Sequence, residues 1–418
     1  MRVFKFGGAS VKDATGIKNV ANIIANYGSK NKLVVIVSAT GKTTNALEDV
    51  VNAYYNKSAD LAEKVALVKN NHLKICSDLF DENHAVFDTI ENIFNELQWQ
   101  LEEDRMEQYN YVYDQIVSQG EMLSTQILSA YLNDIGLQNH WLDARDVVKT
   151  DATYREAIVD WTLTSEKIQQ TVPSIIEMQI VITQGFIGCT DENCTTTLGR
   201  EGSDYTAAIF ANILDAEHQT IWKDVPGVMN GDPRVFEDAI FLDQISYNEA
   251  VEMTFYGATV IHPKTIKPLQ NKNIPLHVRS FINPDGKGTI VGEKDQANLP
   301  PIRIVKNNQS LITLHTKDFS FIQEDVLAGL MHAFHEAKLK LNMLQQGAIS
   351  FEAVVNDIPE KIEAVNTILA NDFTIAIENN LSLLTIRHYD EATISKHRQN
   401  RTELLAQRST DTYQGLLK

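Results

Sequence analysis

The sequence lacks an excess of basic residues: 37 lysines and arginines stand against 55 aspartates and glutamates, giving a formal net charge of −18. Because no basic cluster offsets this charge, we expect no nucleic-acid partner. No apolar run approaches the length of a membrane span, so we expect no membrane partner. The three cysteines, Cys76, Cys189 and Cys194, lack the paired spacing of a zinc site. We therefore expect free thiols and no protein-held metal.

The chain has 418 residues, enough for two or three domains, and 43% of them are hydrophobic, which supports a normal folded core. The first residues, M-R-V-F-K-F-G-G, start directly into a strand pattern and lack the layout of a signal peptide. From this start and the unpaired cysteines, we expect a cytoplasmic protein.

Buried strands alternate with helices and glycine-bearing loops in the first part of the chain. Residues 2–6 predict a strand that ends at Gly7-Gly8, and a helix pattern follows from about residue 13 to 27. The run L-V-V-I-V at 33–37 predicts a strand that is apolar on both faces. This order indicates an α/β fold with a parallel sheet, in which ligands bind at the carboxyl ends of the strands.

The pattern changes near residues 292–301, where the composition turns polar and predicts a linker. Beyond it, residues 309–379 predict the order β-α-β-β-α-β, which is the ferredoxin-like plan. A further strand and a charged helix indicate a partial second unit, and residues 413–417 predict a final edge strand.

These patterns divide the chain into two predicted domains. The first covers residues 1–292 and contains an inserted layer of consecutive helices at about 46–115. The second covers residues 303–418.

The stretch T-T-T-L-G-R-E-G-S-D-Y-T-A-A at 195–208 combines two glycines, an arginine and the start of a helix pattern. Ser203 or Asp204 is predicted to cap this helix. Arg200 would then lie beside the positive end of the helix, which is a favourable place for an anion. The alternative for this stretch alone is a surface loop with a solvated arginine.

Lys5 stands at the end of the first strand, directly before Gly7 and Gly8. A lysine in this position can reach a phosphate while the glycine N–H groups cradle it. The order is the reverse of a Walker A loop. On this motif alone, a purely structural lysine is the alternative.

Seven ordered motifs resemble the aspartate kinases of the amino-acid-kinase superfamily. They are K-F-G-G-A-S at the start, S-A-T-G-K-T-T-N-A-L at 38–47, Q-G-E-M-L-S-T at 119–125, Q-G-F-I-G at 184–188, the stretch at 195–208, W-K-D-V-P-G-V-M-N-G-D-P-R at 222–234 and Y-G-A-T-V-I-H-P-K-T at 256–265. The resemblance implies a carbamate-kinase-like three-layer sandwich with a mostly parallel central sheet, followed by a ferredoxin-like α+β ACT domain. It also implies ATP-dependent phosphorylation of the L-aspartate side chain to 4-phospho-L-aspartate, the first step towards lysine, threonine and methionine.

The same resemblance implies roles for residues on the aspartate side. Arg200 would bind the substrate α-carboxylate and Glu121 its α-ammonium group. Ser38, Thr44 and Ser203 would add hydroxyl or backbone contacts to the substrate. Outside the resemblance, Glu121 reads as a solvated helix face and Thr44 as a helix N-cap.

On the phosphate side, Lys5 and Asp204 are the implied catalytic residues, with Asp204 orienting Lys5. The implied nucleotide-binding residues are Lys5, Gly7, Gly8, Lys223, Asp224, Met229, Arg234 and Lys264. Magnesium is expected to be held mainly through the ATP phosphates. The ACT resemblance implies a homodimer or larger assembly, with lysine or threonine as effector.

The chain departs from the commonest family pattern at several positions. Lys223 replaces a threonine, residues 229–231 (M-N-G) replace a pattern with tyrosine and threonines, and Thr259 replaces a lysine that points to phosphate. Lys264 and Lys223 are the two candidates to supply that lost charge. Glu201 stands where glycine is frequent, and either pairs with Lys223 or points to solvent.

Two other functions stay open from the sequence. One is a non-catalytic amino-acid sensor that keeps a degraded kinase fold, which the departures at Thr259, Met229 and Glu201 favour. The other is a related enzyme of the same fold, such as a glutamate or acetylglutamate kinase. Nucleotide binding separates the sensor from the enzymes, and a comparison of aspartate with glutamate as substrate separates the enzymes.

Overall fold

The computed structural model describes residues 1–28, 32–102, 108–258, 261–294, 299–398 and 400–418. The chain divides into two units. Unit 1 comprises Met1–Val228, Phe241–Val251 and Val260–Gln296, and unit 2 comprises Met229–Ile240, Glu252–Thr259 and Ala297–Lys418. Two stretches of the predicted first domain therefore group with the C-terminal part of the chain.

A mostly parallel sheet forms the centre of unit 1. The strands of unit 1 are β1 (Arg2–Phe6), β2 (Leu33–Val37), β3 (Asn139–Leu142), β4 (Ile180–Gln184), β5 (Ile187–Cys189), β6 (Thr195–Thr197), β7 (His218–Lys223), β8 (Gln244–Ser246), β9 (Leu276–Ser280) and β10 (Thr289–Gly292). The sheet order is β3-β4-β2-β1-β7-β9-β10-β8, and β5 pairs with β6 separately. Every neighbouring pair of the central sheet is parallel except β9 and β10. The predicted α/β class is confirmed.

Helices follow the strands of this sheet along the chain. They are α1 (Ala14–Ile23), α2 (Thr43–Tyr55), α3 (Leu61–Leu79), α4 (Val86–Glu102), α5 (Tyr109–Val117), α6 (Gln119–Asp134), α7 (Ala144–Val147), α8 (Trp161–Ile176), α9 (Gly202–Ile213), α10 (Tyr247–Tyr256) and α11 (Pro263–Gln270). Helices α2 to α5 lie where the sequence predicts consecutive helices. Among the described residues, none of these helices is long and apolar enough to cross a membrane.

Apolar packing fixes the strands that carry the site. Every residue of β2 and β4 is buried, as expected for inner strands of a parallel sheet with both faces covered. Phe6 of β1 and Trp222 of β7 are register neighbours, and their rings stack with centroids 6.0 Å apart. A fully buried large apolar side chain contributes about 1.5–3 kcal/mol to folding. This packing holds the ends of β1 and β7 side by side.

Unit 2 is built on one antiparallel sheet. Its elements are β11 (Ile302–Thr316), α12 (Glu324–Glu336), β12 (Leu341–Gln346), β13 (Ser350–Asn356), α13 (Pro359–Leu369), β14 (Phe373–Arg387), α14 (Glu391–Arg398), β15 (Glu403–Arg408) and β16 (Thr412–Leu417). The strand order is β12-β13-β11-β14-β16-β15. Strands β11 and β14 pair along nearly their whole length. The order from β11 to β14 is the predicted β-α-β-β-α-β, so the ferredoxin-like prediction is confirmed.

The prediction of a final edge strand at 413–417 is half right. A strand is present, but β16 pairs with β14 on one side and β15 on the other, so it is an inner strand. All of β16 is buried, whereas Leu405 is the buried position of β15. A polar edge strand with little apolar alternation gives a weak sequence signal, which explains why β15 is missing from the prediction.

Candidate active site

Two glycine-bearing loops pack together at the carboxyl ends of β1 and β2. The N–H of Gly41 donates to the carbonyl oxygen of Gly8 at 3.0 Å. A Cβ atom on Gly8 would lie 2.6 Å from the Ala39 oxygen and 2.7 Å from the Gly41 oxygen. Since real Cβ atoms do not approach so closely, this contact requires glycine. The loops after β1 and β2 therefore form one surface at the edge where α/β sheets bind ligands.

A buried carboxylate holds two lysines at this edge. Lys5 Nζ lies 2.7 Å from Asp204 Oδ1, and Lys223 Nζ lies 3.8 Å from Asp204 Oδ2. The Asp204 side chain is 3% exposed. Burial raises its pKa, but the charges of the two lysines outweigh that effect and hold the pKa below its usual value. Two ammonium groups are thus fixed near each other by one anion, leaving a net positive charge.

The two lysines come from adjacent strands, which explains their proximity. Lys5 belongs to β1 and Lys223 ends β7, and these strands are parallel neighbours. Asp204 lies in the first turn of α9, whose side chains reach the same edge. A Cβ on Gly7 would lie 3.5 Å from Lys5 Nζ, so the ammonium group lies over the Gly7 backbone. The predicted phosphate-binding arrangement of Lys5 and the two glycines stays a prediction, but its parts lie together.

Ser203 lies at the start of α9 and faces the loop after β2. Its hydroxyl oxygen is 3.1 Å from that of Ser38. The predicted capping role of Ser203 or Asp204 is wrong, because α9 begins at Gly202 and Glu201 occupies the N-cap position without a side-chain cap. The Ser203 side chain instead contacts Ser38, and the Asp204 side chain contacts Lys5 and Lys223.

Glu121 is a buried carboxyl group with one unpaired oxygen. It lies in the first turn of α6 and is 1% exposed, so the solvated-face interpretation is wrong. The backbone N–H of Ala39 donates to its Oε1 at 3.1 Å. Its Oε2 has no hydrogen-bond partner among the residues that the structure describes. Burial raises the pKa of Glu121 to about 8, although the hydrogen bond from Ala39 opposes the shift.

The side chains of Arg200 and Thr44 are more exposed than those of Glu121 and Asp204. Arg200 is exposed in the turn between β6 and α9, and forms no hydrogen bond or ion pair within the described ranges. Thr44 is half-buried and is the second residue of α2, so the interpretation as an N-cap is wrong. Both side chains remain available to a ligand.

The other predicted nucleotide residues are divided between the two units. Asp224 is exposed directly after Lys223, and Lys264 is exposed in the first turn of α11. Met229 and Arg234 belong to unit 2, where Arg234 pairs with Asp232 at 2.7 Å. The roles of these four residues stay predictions.

Thr259, where the resemblance implies a lost lysine, lies outside the described residues. No group of three or more His, Cys, Asp or Glu side chains is placed to hold a metal ion in the described part of the chain.

Asp114 is a site-supporting residue that the sequence analysis misses. Its Oδ1 accepts a hydrogen bond from the Thr197 hydroxyl at 2.7 Å, and its Oδ2 accepts from the N–H groups of Thr197 at 2.8 Å and Arg155 at 2.9 Å. Burial raises its pKa to about 6, and these hydrogen bonds oppose the shift. Asp114 thereby anchors β6 directly before the turn that carries Arg200. Its position on the buried face of α5, among Y-V-Y-D-Q-I-V, is the signal that could have identified it.

Glu201 occupies a strained backbone position. Its φ is 54°, in the left-handed region that glycine adopts without cost. Its Oε2 is buried and has no hydrogen-bond partner among the described residues, so this oxygen does not point to solvent. The left-handed backbone gives a physical reason why glycine is frequent here in the family that the sequence resembles.

We expect Glu201→Gly to raise the free energy of unfolding by about 1 kcal/mol, because it removes both the strain and the unpaired oxygen. Urea unfolding measures this change. Asn193→Gly is the matched control, since Asn193 also has a left-handed backbone (φ 60°) but is exposed, and asparagine tolerates that conformation. A variant less stable than the original chain would contradict the assignment of strain.

Similar known proteins identify the family of this chain. A sequence profile described as the amino acid kinase family matches residues 1–280. The chain therefore belongs to the amino acid kinase family. Within it, the chain groups with the aspartokinases. It is 36% identical over 317 residues to the lysine-sensitive aspartokinase 3 of Escherichia coli (strain K12), covering 75% of this chain and 69% of that protein.

A longer relative is the chloroplastic bifunctional aspartokinase/homoserine dehydrogenase 2 of Arabidopsis thaliana, which is 32% identical over 388 residues. That match covers 90% of this chain, which spans 42% of the relative's length. Among solved structures, E. coli aspartokinase III with aspartate and ADP (R-state) superposes with a TM-score of 0.83 at 26% identity, covering 100% of this chain and 96% of that one. The same enzyme solved with lysine and aspartate (T-state) gives a TM-score of 0.84 at 26% identity, covering 100% and 95%.

Proposed function

We propose that the chain transfers the γ-phosphoryl group of ATP to the side-chain carboxylate of L-aspartate, giving 4-phospho-L-aspartate and ADP. The observation that carries this proposal is the pair of lysines held by Asp204 beside the glycine loops. The aspartate and ADP in the E. coli aspartokinase III structure support the same substrates.

The chemistry needs charge placement more than a base. An aspartate carboxylate, with an ordinary pKa of about 3.9, is already ionised at neutral pH. One of its oxygens forms the new bond to phosphorus while the bond between the γ-phosphorus and the β,γ-bridging oxygen breaks, and ADP leaves with that electron pair. The obstacle is the approach of two anions. The ammonium groups of Lys5 and Lys223 reduce this repulsion and stabilise the charge that develops on the phosphoryl oxygens.

The proposed aspartate-binding residues come from the turn before α9, the start of α9, the first turn of α6, and the loop and helix that follow β2. We assign the α-carboxylate to Arg200, whose guanidinium can bind two oxygens, and the α-ammonium to the unpaired Oε2 of Glu121. Ser38, Thr44 and Ser203 supply the remaining polar contacts. Both charged ends of the amino acid then have a partner of opposite sign.

Nucleotide binding is assigned to Lys5, Gly7, Gly8 and Lys223 for the phosphates, and to Asp224, Met229, Arg234 and Lys264 for the rest of the nucleotide. Asp204 is engaged by two lysines, and the described residues present no carboxylate cluster. Magnesium would therefore be held through the phosphates, where its charge neutralises the phosphate oxygens.

An aspartate-binding experiment follows from the raised pKa of Glu121. With a pKa of about 8, most of this carboxyl group is protonated at pH 7. The substrate α-ammonium favours the ionised form, so binding lowers the pKa and releases close to one proton, on the order of 0.9 per site. Calorimetry at pH 7 in buffers of different ionisation enthalpy measures the release. Glu121→Gln should abolish the proton release and weaken binding, and a buffer-independent binding heat in the original chain would contradict the role.

A coupled assay of ADP release with hydroxylamine trapping of the acyl phosphate tests the proposed activity. Aspartate-dependent ADP release is expected, with L-glutamate much poorer as substrate. ADP release that does not depend on aspartate would overturn the proposal. Failure to bind ATP and magnesium in calorimetry would instead favour the non-catalytic sensor.

The assembly, effector and location are also proposals. We propose a homodimer or larger assembly through unit 2, where Phe319 and Phe321 are exposed and β12 is an edge strand with Leu344 partly exposed. Lysine or threonine is the proposed effector, supported by the lysine in the E. coli T-state structure. Cys76, Cys189 and Cys194 are free thiols, which agrees with the proposed cytoplasmic location. Light scattering and activity with added lysine or threonine test the first two.

A further inference from the structure

Unit 2 contains a cavity of about 520 Å³ on one side of its sheet, where Val305 and Leu384 belong both to the cavity lining and to a hydrophobic core cluster. Its walls come from three places: residues 235–238, the strands β11 and β14, and the end of α14 with Arg401. None of the residues to which we assign aspartate or nucleotide binding lines it.

Ion pairs hold the wall formed by residues 235–238. Arg303 is 5% exposed, and its Nη1 donates to Asp238 Oδ1 at 2.6 Å. Lys396 Nζ donates to Asp238 Oδ2 at 2.5 Å. The Arg303 guanidinium also lies 4.6 Å from the centre of the Phe236 ring. Asp238 is therefore engaged on both oxygens, and the hydrogen bonds from Lys396 and Arg303 hold its pKa far below the usual value.

Two charged side chains of the lining are left without an ion pair among the described residues, and they have opposite signs. They are Glu237 and Arg401, and both are exposed. The rest of the lining includes apolar surface from Val235, Val305 and Leu384, and Val235 is 53% exposed there. One free cation, one free anion and an apolar wall are the complement of a small zwitterion with an apolar side chain.

We propose that this cavity binds a free L-α-amino acid with an apolar side chain. Arg401 binds its carboxylate, Glu237 binds its ammonium group, and Val235, Val305 and Leu384 contact its side chain. The volume exceeds that of a single leucine, so ordered water is expected to fill the remaining polar part.

Calorimetric titration of the full chain with L-leucine, without ATP and with aspartate in excess, tests the proposal. The excess aspartate keeps leucine out of the substrate site, and the measurement needs no kinase activity, so it is independent of the proposed function. We expect one leucine per chain, and a loss of affinity of about tenfold or more in both Arg401→Gln and Glu237→Gln. Both side chains are exposed, so either variant is expected to fold, and unchanged circular dichroism checks this.

Arg408→Gln is the matched control, because Arg408 pairs with Glu391 and does not line the cavity. Its leucine affinity should equal that of the original chain. 4-Methylpentanoate, which lacks the ammonium group, and 3-methylbutylamine, which lacks the carboxylate, should each bind at least about tenfold more weakly than leucine. The proposal is overturned by no leucine binding, by unchanged affinity in both cavity variants, or by equal binding of either truncated compound.

Discussion

Lys5→Ala is expected to lower kcat by about 10³-fold, because it removes the ammonium group closest to Asp204. This group lies at the end of β1, where we assign the binding of the ATP phosphates. It also leaves the buried Asp204 with Lys223 at 3.8 Å as its remaining ammonium partner among the described residues. Steady-state kinetics of ADP release measure the effect. The KM for aspartate should change little, since we assign Lys5 to the phosphoryl group and not to the amino acid.

Lys18→Ala serves as the control, since Lys18 is an exposed lysine of α1 and should leave kcat unchanged. A fall of less than about tenfold in Lys5→Ala would contradict the catalytic role.

The comparison of Lys223→Thr with Lys264→Ala decides which lysine supplies the second charge. We expect the larger loss of kcat in Lys223→Thr, because Lys223 shares Asp204 with Lys5, whereas Lys264 is an exposed residue of α11. A larger loss in Lys264→Ala would assign the charge to α11 instead.

Arg200→Ala is expected to raise the KM for aspartate by about 10²-fold, because a charged partner of the substrate carboxylate is lost. The KM for ATP should stay within about threefold. Arg200→Lys should recover only part of the loss, since an ammonium group cannot bind two carboxylate oxygens in the same plane.

Arg2→Ala provides a control for the loss of one positive charge. Arg2 pairs with Glu217 at the surface, and its removal should leave the KM for aspartate unchanged. If the KM for aspartate is the same in Arg200→Ala and Arg2→Ala, the substrate carboxylate is bound elsewhere.

The sequence predicts the parts of the fold that have strong local patterns. The strands β1 and β2 are short apolar runs that end at glycine or polar loops, and both appear at the predicted residues. The order of elements from β11 to β14 follows from alternating periodicity in the same way. Strands β5, β6, β8 and β15 are short or polar, so they give weak local patterns. The pairing of β8 with β10 also joins residues more than forty positions apart.

The candidate active site likewise has features that the sequence predicts and features that it does not. The resemblance selects Lys5, Glu121 and Asp204, but sequence patterns do not show that Glu121 is buried with a raised pKa. Burial depends on which helix face meets the sheet, and α6 is buried on more sides than its amphipathic pattern suggests. Asp114 is not apparent from the sequence for a related reason: its hydrogen bonds to Thr197 and Arg155 join residues more than forty positions apart. The left-handed backbone of Glu201 follows from the turn and not from the residue type.

The paired strands β11 and β14 have a thermodynamic consequence for unit 2. Their pairing, interrupted by register shifts between Lys306 and Leu311, joins the half of the sheet that carries β12 and β13 to the half that carries β15 and β16. Val305 and Leu384 are register partners on this ladder and also line the cavity. A ligand that binds one arrangement of this ladder more tightly than another would change the affinity of any second ligand that also distinguishes the two arrangements. By linkage the effect is reciprocal, so each molecule alters the dissociation constant of the other by the same factor.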